Sequence, residues 1–120
     1  HRPAYIERGD FPDGCEKHCI EATNLADTVD LAKFDAAVVM SHHLASDREY
    51  LRQLASSEVS YAGLLGPSAR KDRLLSELGD AGEGLRSRLQ GPAGLTLGGR
   101  GPEVIALSII AQMQQQLAAD

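Results

Sequence analysis

Two short apolar runs separated by one amphipathic stretch constrain this chain more than any other feature. In the first, residues 34–40, Ala36, Ala37, Val38, Val39 and Met40 follow one another without polar alternation. The run is too short for a helix, and its unbroken apolarity predicts a strand covered on both faces. The second run, residues 59–65, ends at Gly66 and Pro67. Between them Ser46 and Glu49 have the spacing of a capping box, and Tyr50, Leu51, Leu54 and Ala55 form an apolar stripe, which predicts an amphipathic helix opening at Ser46. Strand, helix and strand within about thirty residues make a parallel βαβ unit.

The rest of the chain is punctuated by glycine and proline. The opening HRPAYIERGDFPDG (residues 1–14) reads as loop. Residues 15–22 are expected to form a short strand, although Glu16, Lys17 and His18 suit one poorly. Pro67 fits a first helical position, Leu74, Leu75 and Leu78 give that helix an apolar face, and Gly79 stops it. Residues 85–89 are expected to form one or two helical turns, and AGLTLGG (residues 93–99) a short strand. Gly101, Pro102 and Glu103 are expected to start a last helix, with Ala106, Ile109, Ile110, Met113 and Leu117 on one face and Gln112, Gln114, Gln115 and Gln116 mostly on the other.

Composition excludes several classes of function. A net charge of -5 argues against general nucleic-acid binding, which needs basic surface to displace counterions. Aromatic residues are only 4% and Trp is absent, so base-stacking platforms are not expected either. At 120 residues the chain has the size of a single domain with its own core. No apolar run is long enough for a membrane span and no leader pattern is evident, so the cytoplasm is the expected location. The first residue is His1 rather than Met, which suggests a fragment or a processed chain.

Candidate chemistry gathers where the two strands end. In an open parallel sheet, ligands bind beyond the carboxyl ends of the strands, and parallel strands place their following loops on the same edge. One loop offers Ser41, His42, His43 and Asp47; the other offers Gly66, Ser68, Arg70 and Lys71. At Gly66 a backbone can approach a ligand closely, the first amides of the next helix carry partial positive charge, and Arg70 and Lys71 add to it. A phosphate-bearing ligand suits such an edge. The plainer readings are that one histidine only packs or meets water, that Arg70 and Lys71 belong to a solvated helix face, and that Gly66 and Pro67 merely turn the chain. Cys15 and Cys19, with His18 between them, would lie roughly 13 Å apart on a strand, too far for a disulfide. They read as reduced thiols rather than a metal site.

Three motifs in order carry a resemblance: MSHHLASDREYL (residues 40–51), YAGLLGPSARKDRLL (residues 61–75) and GPAGLTLGGRGPEVIALSIIAQM (residues 91–113). Together with Arg2 and Pro3 they resemble the C-terminal Rossmann-like domain of the XdhC/CoxI family. The resemblance implies an α/β, Rossmann-like three-layer fold with a mainly parallel sheet, occupying residues 1–120 as a single domain and incomplete at its N-terminus. A Rossmann-like domain opens with a strand and a glycine-rich turn for pyrophosphate, whereas this sequence matches from after the second strand. The missing βαβ piece is therefore expected in the parent protein, along with the family's separate N-terminal domain.

The function implied is a maturation factor. Such a protein binds molybdenum cofactor, as molybdopterin or its dinucleotide form, and delivers it to an apo molybdenum hydroxylase such as xanthine or carbon monoxide dehydrogenase. A sulfurtransferase is an implied second partner, and a homo-oligomer or association with the missing N-terminal part is expected. Alternatives are a nicotinamide-dependent oxidoreductase binding NAD(P) with His42 as acid or base, and a docking module without cofactor. Departures from the family pattern occur at His43 and Leu44, where some branches have Asn and His, at Ser68, often Arg, and at Thr96, often acidic.

Overall fold

The computed structural model describes residues 14–118. Leu25–Thr28 forms a short helix, α1, after a 3-10 turn, and Ala36–Val39 forms strand β1. Helix α2 is Leu44–Ala55, strand β2 is Tyr61–Leu64, and helix α3 is Ser68–Leu78. A 3-10 segment, Gly79–Leu85, leads into the two-residue strand β3, Leu89–Gln90, and helix α4 is Pro102–Ala118. The strands lie in the order β1-β2-β3, all parallel, with Ala36 opposite Tyr61 and Ala62 opposite Leu89. This is the expected α/β, Rossmann-like arrangement, with the βαβ unit where the apolar runs place it.

Alternation along β2 divides the layers. Ala62 and Leu64 enter the main core with Val39, Leu51, Leu54 and Leu74, beneath α2 and α3. Tyr61 turns to the opposite face, where its hydroxyl donates to Gln112 Oε1 on α4 at 2.6 Å. All four β2 residues are buried. The expectation that β1 is covered on both faces fails: only Val39 is buried, and Met40, just beyond the strand, is 59% exposed. β1 is the outer strand of the sheet among the described residues, so an apolar sequence there is not matched by apolar cover.

Other expectations are corrected by local chemistry. Helix α2 starts at Leu44, because His43 rather than Ser46 is its cap: His43 Nδ1 accepts from the Ser46 amide at 3.3 Å. The Glu49 carboxylate instead pairs with Arg52 on the exposed surface. Pro67 is the cap of α3 rather than its first residue. Residues 15–21 form no strand, and both Cys15 and Cys19 are free and exposed. The turns expected over residues 85–89 end at residue 88, and strand β3 takes Leu89 and Gln90, while residues 95–100, in the expected strand 93–99 and just after it, have no regular structure. Arg2 and Pro3 and the rest of the opening loop up to residue 13 lie outside the described residues.

Helix α4 turns a polar edge to the sheet. Gln112 Oε1 also accepts from the Gly94 amide at 2.8 Å, and Gln116 Nε2 donates to the Ser60 carbonyl at 2.8 Å. Ser108 and Ile109 are buried, but Ile110 is 61% and Leu117 41% exposed, so Gln112 and Gln116 face the sheet against expectation while Gln114 and Gln115 are exposed as expected. Buried strand ends carry backbone groups that need partners, and amides supply both donors and acceptors. Arg88 works similarly at the other end, donating from Nη2 to the carbonyls of Leu54 (3.1 Å) and Ala55 (3.0 Å), from Nη1 to that of Val59 and from Nε to that of Gly84.

Candidate functional site at the carboxyl edge of the sheet

The loops that follow β1 and β2 lie side by side, since the Leu65 amide donates to the Val39 carbonyl at 3.1 Å. The residue that organises both is Asp47, in the first turn of α2 and 1% exposed. Its Oδ1 accepts from the Ser41 amide at 3.1 Å and from the Ser41 hydroxyl. Its Oδ2 accepts from Arg70 Nε at 3.2 Å and Nη2 at 2.7 Å. A buried carboxylate is tolerable only with such partners, and here one guanidinium and one serine supply them. Burial, and next the negative charge of Asp47, push the phenol of neighbouring Tyr50 above its ordinary range.

Arg70 reaches Asp47 by folding back over Gly66. A Cβ at Gly66 would lie 2.7 Å from Arg70 Cδ, and Gly66 has φ +126°, so glycine is required twice over. The close approach expected of a ligand at Gly66 is thus made by the arginine itself. Equally, Asp47 faces inward and is spent on the protein, as is much of the charge of Arg70, whose side chain is only 23% exposed. These two bond each other and hold the loops in place.

What the cluster presents outward is the histidine pair. Ser41 Oγ accepts from the His43 amide at 3.2 Å, and His43 Nδ1 lies 2.9 Å from Ser46 Oγ, so His43 is engaged in capping α2. His42, between them, is exposed and has φ +59°, the one non-glycine with positive φ among the described residues. Histidine tolerates this left-handed conformation better than most residues, yet it carries a cost of order 1 kcal/mol and marks a constrained position. Ser68 is exposed at the start of α3, where the first amides have no partner within the helix. Lys71 is half-buried, its stem lying against Gly91, so it faces the loop after β3 rather than the histidines.

Ser41, Asp47 and Arg70 therefore form one bonded cluster over Gly66, His42 and His43 stand on its outer side, Ser68 opens α3, and Lys71 turns to the loop after β3. Sequence reading missed the division between inward and outward groups. The Asp-Arg pairing had a signal in the charge types of the two loops, but a contact 23 residues apart in sequence is not visible from spacing. An apolar depression of about 410 Å³ lies elsewhere, beside β1, with lining residues that include Leu25, Phe34, Ala36, Val38 and Tyr50. Its walls offer few polar groups, and it does not overlap the histidine loop. No cluster of metal-ligating side chains occurs among the described residues, and none of their helices is long and apolar enough to cross a membrane.

Residues 1–113 match the family model described as the XdhC Rossmann domain. A protein of Bacillus subtilis (strain 168) described as a probable subunit of xanthine dehydrogenase is 35% identical over 114 residues, covering 95% of this chain and 33% of that protein. A crystal structure of a xanthine dehydrogenase from Bacillus halodurans superposes with a TM-score of 0.63 at 34% identity, covering 81% of this chain and 27% of the other. The chain spans about a third of the length of the curated relative it matches. With motifs, sheet order and whole-length similarity in agreement, the chain belongs to the XdhC family as its Rossmann domain.

Proposed function

We propose that this domain serves a xanthine dehydrogenase system as an accessory factor that binds molybdenum cofactor at the carboxyl edge of its sheet and passes it to the apo molybdenum hydroxylase. The observation that carries the reading is the outward-facing His42, held in a constrained conformation by the Ser41-Asp47-Arg70 cluster, at the edge where open parallel sheets bind ligands. The names of its relatives point to the same system.

The residues present fit a phosphate-bearing pterin in part. The first-turn amides of α3 and the Ser68 hydroxyl suit the phosphate, as helix N-termini do generally. His42 suits a second polar group of the ligand. Asp47 and Arg70 position these two loops and take no direct part in holding it. The cofactor, when bound, supplies the metal chemistry that the hydroxylase later uses; the domain's own task is to bind, orient and release it. Lys71, whose stem lies against Gly91, contributes positive charge to this end of α3 rather than a contact shared with His42.

The test is a titration of the chain with sulfurated and desulfurated molybdenum cofactor, followed by its absorbance and by equilibrium dialysis. Binding should weaken about tenfold in His42→Ala, the loss of one charge-assisted or polar contact, with the far-UV signal unchanged. Equal affinity in His42→Ala, Ser68→Ala and the parent chain would remove this edge as the site. Turnover of reduced nicotinamide without cofactor retention would favour an oxidoreductase instead.

A further inference from the structure

The cap of α2 is an imidazole, so a proton can remove its acceptor. A backbone amide only donates, and the 3.3 Å bond from the Ser46 amide therefore requires a lone pair on His43 Nδ1, with the ring's hydrogen on Nε2. The usual capping side chains are those of serine, threonine, asparagine and aspartate, and the first three accept at any pH. His43 accepts only while neutral. It is exposed, so protons reach it from solvent. Once protonated, Nδ1 becomes a donor. It keeps the Ser46 hydroxyl, 2.9 Å away, as an acceptor but repels the Ser46 amide, and a cation at the start of a helix opposes the helix dipole. The other titratable groups at this corner are His42, Asp47 and Arg48 on α2, and Arg70 and Glu77 on α3. Asp47 is paired with Arg70 and Glu77 with Arg48, so each carboxylate already has its cation.

We propose that His43 is a pH-sensitive latch on the loop after β1, closed when neutral and released when protonated near pH 6.5, about where imidazoles ordinarily titrate. The latch holds the exit of β1. The His43 amide donates to Ser41 Oγ at 3.2 Å, the Ser41 amide and hydroxyl reach Asp47, and the Asp47 amide donates to the His43 carbonyl at 2.9 Å. These bonds close a ring around His42, whose φ of +59° belongs to that closed form. Release of the cap loosens one side of the ring and lets His42 leave its left-handed conformation. The buried Asp47-Arg70 pair stays in place, so the change is local. Because the cap needs a neutral ring, the stability it contributes is present above this range and lost as pH falls through it. The latch stands on hydrogen-bond geometry; its consequence, a ligand edge that loosens on acidification, rests on the function proposed above.

Urea denaturation of the 120-residue chain at about pH 7.5 and about pH 5.5, on either side of the imidazole range, tests it. Between these the unfolding equilibrium constant should rise about fivefold more in the parent than in His43→Asn, the worth of one helix cap, since asparagine caps at both. His43→Ala, uncapped at both, should share the flatter response of His43→Asn while being the less stable of the two. In the isotope-labelled chain the Ser46 amide resonance should shift together with the His43 ring, and should stay still over the same range in His43→Asn. Equal rises in the parent and His43→Asn would overturn the latch, as would a Ser46 amide that follows only the titration of carboxylates. Cofactor affinity separates the latch from its consequence. It should fall on acidification in the parent and fall less in His43→Asn; a latch that responds while affinity is equal at both pH values stands, and the carboxyl edge then loses its claim as the site.

Discussion

The first two strands are neighbours of equal length and similar apolarity, yet they are secured in opposite ways. β2 is fully buried and paired on both edges, and the loop after it turns at Gly66 and Pro67. β1 is half-exposed and, among the described residues, paired on one edge, but the loop after it is locked by a buried carboxylate. One strand is anchored along its length and the other at its exit. The proposed ligand edge lies where the two modes of anchorage meet.

The largest test of this contrast removes the lock. Arg70→Met leaves the Asp47 carboxylate buried without its cation and should cost about 3–5 kcal/mol in chemical denaturation; a loss under about 1 kcal/mol would mean that the exit of β1 needs no lock. Next, Leu64→Ala in β2 should cost about 2–5 kcal/mol, whereas Val38→Ala in β1 should cost less than about 1.5 kcal/mol, and equal losses would erase the difference between the strands. A smaller effect of opposite sign is expected at His42. Replacing it with glycine releases a positive φ and should raise the stability read from the denaturation curve, by up to about 1 kcal/mol, while weakening cofactor binding.

The smallest effect concerns the exposed counterpart of the Asp47-Arg70 link. Arg48 on α2 and Arg73 on α3 both bond Glu77, and the hydrogen bonds from Arg73 and then Arg48 hold its carboxyl below the ordinary range. A carboxyl with a depressed folded pKa contributes stability above its unfolded pKa and loses it as pH falls through the folded value. The parent chain should therefore lose slightly more stability on acidification below about pH 4.3 than Glu77→Gln does. Indistinguishable acid profiles would show that the surface link contributes nothing.

Much of this arrangement was legible in the sequence because apolar run length and helical periodicity report strands and helices directly. The parallel βαβ unit, the stop at Gly79 and the start of α4 at Pro102 are all of that kind. Burial was less legible: Ala36–Val39 is as apolar as a central strand, and only its position in the sheet decides that it lies at an edge. The glutamines of α4 misled because exposed and sheet-bonding amides have the same period, and only Tyr61, Gly94 and Ser60 show which of them face inward. At the candidate site the residue types were visible, but not that Asp47 consumes the charge of Arg70.

The arginine that gathers the ends of α2 and β2 also bears on the order of assembly. Arg88 bonds Leu54 and Ala55 across 34 and 33 positions of sequence. Until the chain has been made and folded that far, the Ala55 carbonyl lacks this partner and the Leu54 carbonyl has only the amide and hydroxyl of Ser57 nearby, so the first strand-helix-strand unit lacks part of what secures its corner. Closing that long loop is an entropic cost met late, after local helices have formed. A nascent or truncated chain ending before residue 88 would keep the helix-to-strand corner loose, and quality control would meet it as an unfinished domain rather than a smaller stable one.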